Sequence, residues 1–301
     1  MKDFLTAFMM AWGNFLVIPC PKKVWRQELK KEMLTMLPII GLVTGFLAFL
    51  ISYVLCSLHI PISVTAFFMT LYTFAISGFM HADGFMDCCD AILSRRDLAE
   101  RQRILKDSRV GAFAVISMIL MALGTFAAFI AIQEILLSYS VTISYTVSRR
   151  ILPIVAALPL IMIPVMSRAT AGSCVLGMRP LKSSQYADAE NEETHIGERG
   201  AERHANNLKY MNTIMIGALC ILLIVVLVLF VLSVKISAKA TLIMLVRLLI
   251  PTVVTLLATR FFAGLARRNL GGMSGDIAGF SICMGELVGL IVMALVLHRL
   301  I

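Results

Sequence analysis

The feature that most limits this chain is a series of long, nearly uncharged apolar runs. They cover roughly residues 34–58, 60–80, 111–137, 151–177, 211–234, 241–259 and 277–297. About 20 consecutive apolar residues carry a helix across a bilayer. Hydrocarbon offers no partner to a backbone N–H or C=O, so each run must bond internally as a helix. The period-2 alternation of a membrane strand is absent. Composition agrees, at 59% hydrophobic and 15% charged, where soluble domains carry about a quarter charged residues. The expected fold is an all-α, polytopic integral membrane helix bundle. It has about seven transmembrane helices and forms a single domain over residues 1–301.

The apolar stretch Phe4–Ile18 is interrupted by Trp12, Gly13 and Asn14 and ends in Pro19-Cys20-Pro21-Lys22-Lys23. It is short for a span and no small-residue cleavage site follows. The expectation is a re-entrant or interfacial N-terminal helix. The seven cysteines form no C-x-x-C pair, which leaves them as small apolar residues of a reducing compartment.

Lys and Arg concentrate on the cytoplasmic side of membrane proteins. With the N-terminus inside and seven spans threaded, the outside receives only Arg149, Arg150, Lys235, Lys239 and Arg299, and Arg247 falls within a span. The remaining basic residues lie inside. The expected address is the cytoplasmic membrane, with long cytoplasmic loops at about 81–110, 178–210 and 260–276. Loops of this kind carry function. The net charge of +9 then faces anionic lipid. Nucleic acid is not an expected partner, because the basic residues are scattered over short loops with few aromatics among them. In the 178–210 loop, Glu190-Asn191-Glu192-Glu193 has no metal-ligand spacing, and His195 and His204 are expected to be solvated.

Chemistry concentrates in three clusters. The first is His81-Ala82-Asp83-Gly84-Phe85-Met86-Asp87-Cys88-Cys89-Asp90. Its aspartates stand at i, i+4 and i+7, one face of a helix. Carboxylates that repel one another are relieved by a divalent cation, and all-oxygen ligands suit Mg²⁺ or Mn²⁺. Gly84 leaves room for a close approach by backbone or ligand. The second is Lys106-Asp107-Ser108-Arg109-Val110-Gly111. Asp107 offers a fourth carboxylate, and Lys106 and Arg109 can hold phosphate oxygens. The third is Gly271-Gly272-Met273-Ser274-Gly275-Asp276. Glycines before a helix N-terminus let amides approach a phosphate, and Asp276 can alternatively cap the helix. Glu286 lies inside an apolar span, where an ionisable group is a functional candidate. Arg168 sits near a span's inner end and can pair with phosphate or a carboxylate. Asp276 and Glu286 are about 15 Å apart along a straight helix, so one metal cannot hold both. Glu286 is therefore expected in a buried pair, with Arg168 or another inner-face cation.

At these residues the chain resembles the cobalamin synthase family, the adenosylcobinamide-GDP ribazoletransferases. His81, Asp83, Gly84, Asp87 and Asp90 match its H-x-D-G-x-x-D-x-x-D core. Asp107-Ser108-Arg109 with Gly111 matches D-S-R-x-G. Gly271, Gly272, Ser274, Gly275 and Asp276, with Glu286 after them, match its C-terminal motif. Pro38-Ile39-Ile40-Gly41 and Ser167-Arg168 add support. The likeness spans nearly the whole chain, with departures at Leu16-Val17, Ala91, and Gly78-Phe79, where a Gly-Gly pair is usual. The resemblance implies transfer of the cobinamide-phosphate moiety of adenosylcobinamide-GDP to α-ribazole or α-ribazole 5′-phosphate, releasing GMP, with Mg²⁺ as cofactor. It implies metal ligands among Asp83, Asp87, Asp90 and Asp107, and catalytic roles for these four and Arg109. Asp90 and Asp107 are the candidate bases. Substrate contacts fall to His81, Gly84, Lys106, Ser108, Arg168, Gly271, Gly272, Gly275, Asp276 and Glu286. The active site would face the cytoplasm, the lipid bilayer is the surrounding partner, and homo-oligomerisation stays open.

Two rivals share the carboxylates. A transferase for activated lipid head groups would carry a D-x-x-D-G string, which this chain lacks. A divalent-cation transporter would place acidic residues at the midplane of paired broken helices, and only Glu286 qualifies.

Overall fold

The computed structural model describes residues 2–142, 153–181, 184, 198–232 and 238–299. In chain order the helices are α1 (Lys2–Phe15), α2 (Lys30–Thr35), α3 (Leu37–Ser57), α4 (Ile62–Ala75), α5 (Met80–Leu93) and α6 (Leu98–Ile104). Then follow α7 (Ala112–Thr142), α8 (Pro159–Gly177), α9 (Glu198–Leu232), α10 (Ala238–Leu270) and α11 (Gly275–Arg299). No strand occurs among the described residues, only a bridge between Pro180 and Met273. The fold is all-α, as the apolar runs require.

Among the described residues, six helical stretches are long and apolar enough to cross a membrane: Leu37–Ser57, Ala112–Ser138, Pro153–Gly177, Glu202–Val226, Leu242–Leu270 and Gly275–Arg299. The seventh expected span is different. α4 and α5 qualify only together, and they are bent by 80° at the break between them. Gly78 (φ +62°) and Phe79 (φ +61°) make that bend in the left-handed region. A side chain there costs about 1–2 kcal/mol, because Cβ crowds the following carbonyl. The turn is held by Gly78 N–H to Ala75 O (2.8 Å), and by Val17 N–H of the N-terminal segment to Ile76 O (3.0 Å).

The expected loop 81–110 is therefore largely helical, containing α5 and α6. The expected loop 260–276 is corrected as well. α10 continues to Leu270 and leaves only a four-residue turn before α11. Polar residues there sit on helices that outrun the hydrocarbon. The 33 residues of α10 make a rod of about 50 Å, against an apolar core of about 30 Å. α9 likewise begins at Glu198, so the charged residues leading to Lys209 are helical. His204 on it is half-buried rather than solvated. Lys182, Glu190, Glu192, Glu193, His195, Arg149, Arg150 and Lys235 lie outside the described residues.

α1 is a helix, does not qualify as a span, and buries Ala7, Met10 and Ala11 against Met33, Met36 and Ile40. α11 runs through the middle of the bundle, packed on α5, α7, α8 and α10. Two small-residue crossings set its position. Gly285 and Gly289 of α11 lie on Thr259 and Thr255 of α10, and Gly41 and Gly45 of α3 lie on Pro164 and Ile161 of α8. Spacing by four puts both glycines of a pair on one face, so the backbones approach closely and gain dispersion contacts. Outward faces carry exposed Ile116, Ile119, Leu120 and Leu123 on α7, as lipid requires.

Candidate active site

The 80° bend lays α5 across the N-terminal end of α11. Two glycines permit the crossing. A β-carbon at Gly84 would stand 2.7 Å from Asp276 Cα, and one at Gly279 would stand 3.1 Å from His81 Cα. The first aspartate cluster is thereby pressed against the third motif. Asp83 is exposed, Asp87 half-buried and Asp276 half-buried. Asp87 lies within electrostatic reach of Asp83, Asp276 and Asp90, and Asp276 within reach of Asp83. The helical offsets are as expected, since all three aspartates of the first cluster are on α5.

Asp90 differs from the expectation for it. It is buried, its Oδ2 accepts from Gly111 N–H (2.6 Å) and its Oδ1 from Ala114 N–H (2.9 Å). These are amides of the first turn of α7, which have no partner within the helix. Asp90 is the N-terminal cap of α7, so both its oxygens are engaged. Gly111 has room for nothing larger, because an added β-carbon would stand 2.5 Å from Asp90 Oδ1.

The second cluster is a surface turn. Arg109 Nε donates to Asp107 Oδ1 (3.0 Å) and Nη2 to Oδ2 (2.7 Å). This fork holds the Asp107 carboxyl below the ordinary range, at about 2. Asp107 is thus an ion-pair partner of Arg109 and a weak proton acceptor. Lys106, Ser108 and Arg109 are exposed. An exposed pair of this kind is weak and exchangeable.

In the third cluster the glycines serve the fold. Gly271 (φ +85°) ends α10, with its N–H on Arg267 O at 2.8 Å, as a left-handed C-cap does. Gly272 lies against the Leu181 backbone, where a β-carbon would stand 2.7 Å from Leu181 N. Leu181 N–H donates to Met273 O (2.8 Å) and Met273 N–H to Arg179 O (2.9 Å). Gly271 and Gly272 were expected to clear space for a phosphate. The structure places Gln102 and Leu98 against Gly271, and the strap 179–181 against Gly272. Capping of α11 falls to Ser274, whose Oγ accepts from Ile277 N–H (3.3 Å), and not to Asp276. Asp276 in the first turn is still favoured by the positive end of the helix. Gly275 opens the helix and is exposed.

Arg168 and Glu286 are far from solvent, 2% and 6% exposed. Arg168 Nη1 donates to Glu286 Oε1 at 2.5 Å, and Ser167 Oγ donates to the same oxygen at 2.7 Å. Because α11 is one unbroken helix, Asp276 and Glu286 cannot hold one metal ion between them. The pair lines one wall of a small cavity of about 30 Å³ with Tyr72, Thr44 and Thr73. His81 lines a neighbouring cavity of about 10 Å³, also walled by Glu286. His81, Arg168 and Glu286 are thus interior residues, not members of the exposed aspartate face.

Sequence reasoning missed the residues that seal the end of α10. Gln102 Nε2 donates to Leu270 O (2.8 Å), and Arg101 Nη1 to Asn269 Oδ1 (2.9 Å). No spacing rule signals them, because their partners are 168 residues away.

Among the described residues, no three His, Cys, Asp or Glu side chains converge closely enough to enclose a metal. The donor set fits a looser arrangement. Asp83 and Asp87 are all-oxygen donors whose side chains bond no other described residue, with Asp276 beside them. Mg²⁺ commonly takes one or two carboxylates and completes its shell from phosphate and water.

The family model for cobalamin-5-phosphate synthase matches residues 7–294. An adenosylcobinamide-GDP ribazoletransferase of Clostridium perfringens (strain 13 / Type A) is 31% identical over 296 residues, 98% of this chain and 100% of that protein. One of Clostridium botulinum (strain Alaska E43 / Type E3) is 31% identical over 290 residues, 96% of this chain and 97% of that protein. One of Halalkalibacterium halodurans is 38% identical over 122 residues, 40% of this chain and 46% of that protein. No solved structure matches the chain. A family match across almost the whole length, on a bundle that brings the two conspicuous aspartate motifs together, shows that the chain belongs to the cobalamin-5-phosphate synthase family.

Proposed function

We propose that the chain joins the cobinamide-phosphate part of adenosylcobinamide-GDP to α-ribazole or α-ribazole 5′-phosphate and releases GMP. The names of its relatives support the reaction. The observation that carries it is the meeting of Asp83, Asp87 and Asp276 where Gly84 lets α5 lie on α11. In the reaction a ribazole hydroxyl attacks the phosphorus next to the cobinamide arm. A new P–O bond forms, the P–O bond to GMP breaks, and the hydroxyl proton goes to a carboxylate.

Asp83 and Asp87, with Asp276 beside them, would hold Mg²⁺. When bound, the ion supplies charge neutralisation at the pyrophosphate. Asp87 is the proposed proton acceptor, because Asp90 is engaged by two amides and Asp107 lies on the surface turn, outside the group of Asp83, Asp87 and Asp276. Arg109 can exchange Asp107 for a phosphate oxygen at little cost, since their pair is solvated. Lys106 adds a second exposed cation beside it. The site would face the cytoplasm of a cytoplasmic-membrane protein, because the Lys and Arg bias favours that side.

The test is GMP release by purified protein given adenosylcobinamide-GDP and α-ribazole. Asp87→Asn should lower turnover by about 10³-fold, the loss typical of a group acting on transition-state charge, while the melting temperature holds. Near-normal turnover in that variant removes Asp87 from the mechanism. No GMP release by the unmutated protein removes the reaction.

A further inference from the structure

At the same end of the bundle, outside the aspartate face, α10 borders a groove of about 320 Å³. Its walls are Arg260, Arg267, Arg268, Phe261, Leu265 and Met178. Gly264 lies between them, and a β-carbon there would meet nothing within 4 Å, so the groove is open along the helix. All three arginines are exposed.

Basic residues in a last helical turn usually serve the helix's own carbonyls. Here other groups serve them. Arg267 O accepts from Gly271 N–H, Asn269 O from Arg101 and Leu270 O from Gln102. Arg267 and Arg268 make no ion pair or side-chain hydrogen bond with a described residue. Arg260 spends one nitrogen on Cys174 Sγ (3.4 Å), a weak acceptor. Among the described residues, three guanidinium groups thus line one groove without a carboxylate.

The groove continues into an apolar stripe. Val253, Leu257, Phe261 and Leu265 follow at intervals of four and are 50%, 59%, 62% and 39% exposed. On a spanning helix, an exposed apolar stripe is a face turned to lipid chains. A ligand that fits must carry negative charge at one end and a long apolar body at the other.

We propose that this groove binds an anionic phospholipid, with its phosphate against Arg260, Arg267 and Arg268 and an acyl chain along Val253–Leu257–Phe261. Basic pockets at the ends of membrane helices hold such head groups. A free phosphate or nucleotide shares the head-group chemistry but leaves the stripe unused.

The experiment is native mass spectrometry of the full chain in detergent, titrated with phosphatidylglycerol, phosphatidylcholine or inorganic phosphate. Phosphatidylglycerol should bind, and the R267Q/R268Q variant should bind it at least about tenfold more weakly, given the worth of each Arg near a phosphate. R103Q, on α6, serves as control and should bind as the unmutated chain does. Excess inorganic phosphate should not displace the lipid. Unchanged phosphatidylglycerol affinity in R267Q/R268Q overturns the proposal. So does equal binding of phosphatidylcholine, and displacement by inorganic phosphate would show a soluble-anion site instead. The readout is binding, so it stands or falls independently of the transferase reaction.

Discussion

The two acidic residues of α11 are three turns apart and live in opposite worlds. Asp276 stands at the open end of the helix beside Asp83 and Asp87, and the Ser274 hydroxyl donates to it. Glu286 is 6% exposed and satisfied by Arg168 and Ser167. The chemistry of the side chain is nearly the same, and surroundings assign the role. A carboxylate with free lone pairs at a solvent edge is available to substrate. One whose charge is already matched in the interior holds helices together.

Substitutions should separate the two. The largest effect belongs to Glu286→Gln, which leaves the Arg168 charge buried without a counter-charge. That should cost roughly 3–5 kcal/mol of stability, read as a lower melting temperature in detergent. An Arg168→Met, Glu286→Leu double variant should recover most of it, since replacing both charges by apolar groups is often neutral. A double variant no better than the single would make the polar pair itself indispensable.

Asp276→Asn should do the reverse. A turnover loss of about 100-fold, near 2.7 kcal/mol, should accompany an unchanged melting temperature. A stability loss equal to that of Glu286→Gln would erase the distinction between the two positions.

Asp90→Asn sharpens the comparison on a third carboxylate. Losing a charged cap on α7 should cost about 1–2 kcal/mol and leave the metal dependence of turnover as it was. A shifted Mg²⁺ requirement would return Asp90 to the ligand set. The smallest effect is expected at the bend. Phe79→Gly relieves the left-handed strain, but a glycine loses more freedom on folding, so the net gain is about 0.5 kcal/mol. A loss in thermal denaturation would show that the exposed Phe79 ring contributes contacts.

What the sequence disclosed followed from long-range-free rules. Apolar runs mark spans because lipid forbids anything else, and Glu286 needed a partner because an unpaired intramembrane charge is expensive. The i, i+4, i+7 aspartates were legible because a helix fixes which residues share a face. The bend at Gly78–Phe79 was not, since hydropathy is indifferent to φ. The departure from Gly-Gly there marks the place where the left-handed turn occurs. Asp90 could not be told from Asp87 by spacing. What separates them is Gly111 N–H, 21 positions along the chain. Gly271 and Gly272 were misleading for a related reason. Glycine records that something comes close, and here it is the helix terminus and the Leu181 backbone rather than a phosphate.

The strap between 179–181 and Met273 has a consequence for how this architecture can vary. α9 and α10 lie between Leu181 and Met273 in the chain, and two backbone bonds tie the two ends of that segment together. The pair is therefore a cassette with a closed base. Length changes within the enclosed segment cost little chain entropy, because loop closure grows costly only slowly with length. The register at the base, where Gly272 meets Leu181, tolerates no such change. A designer or a diverging lineage can change the enclosed chain while the strap keeps Met273, the entry to α11 and with it Asp276 in place.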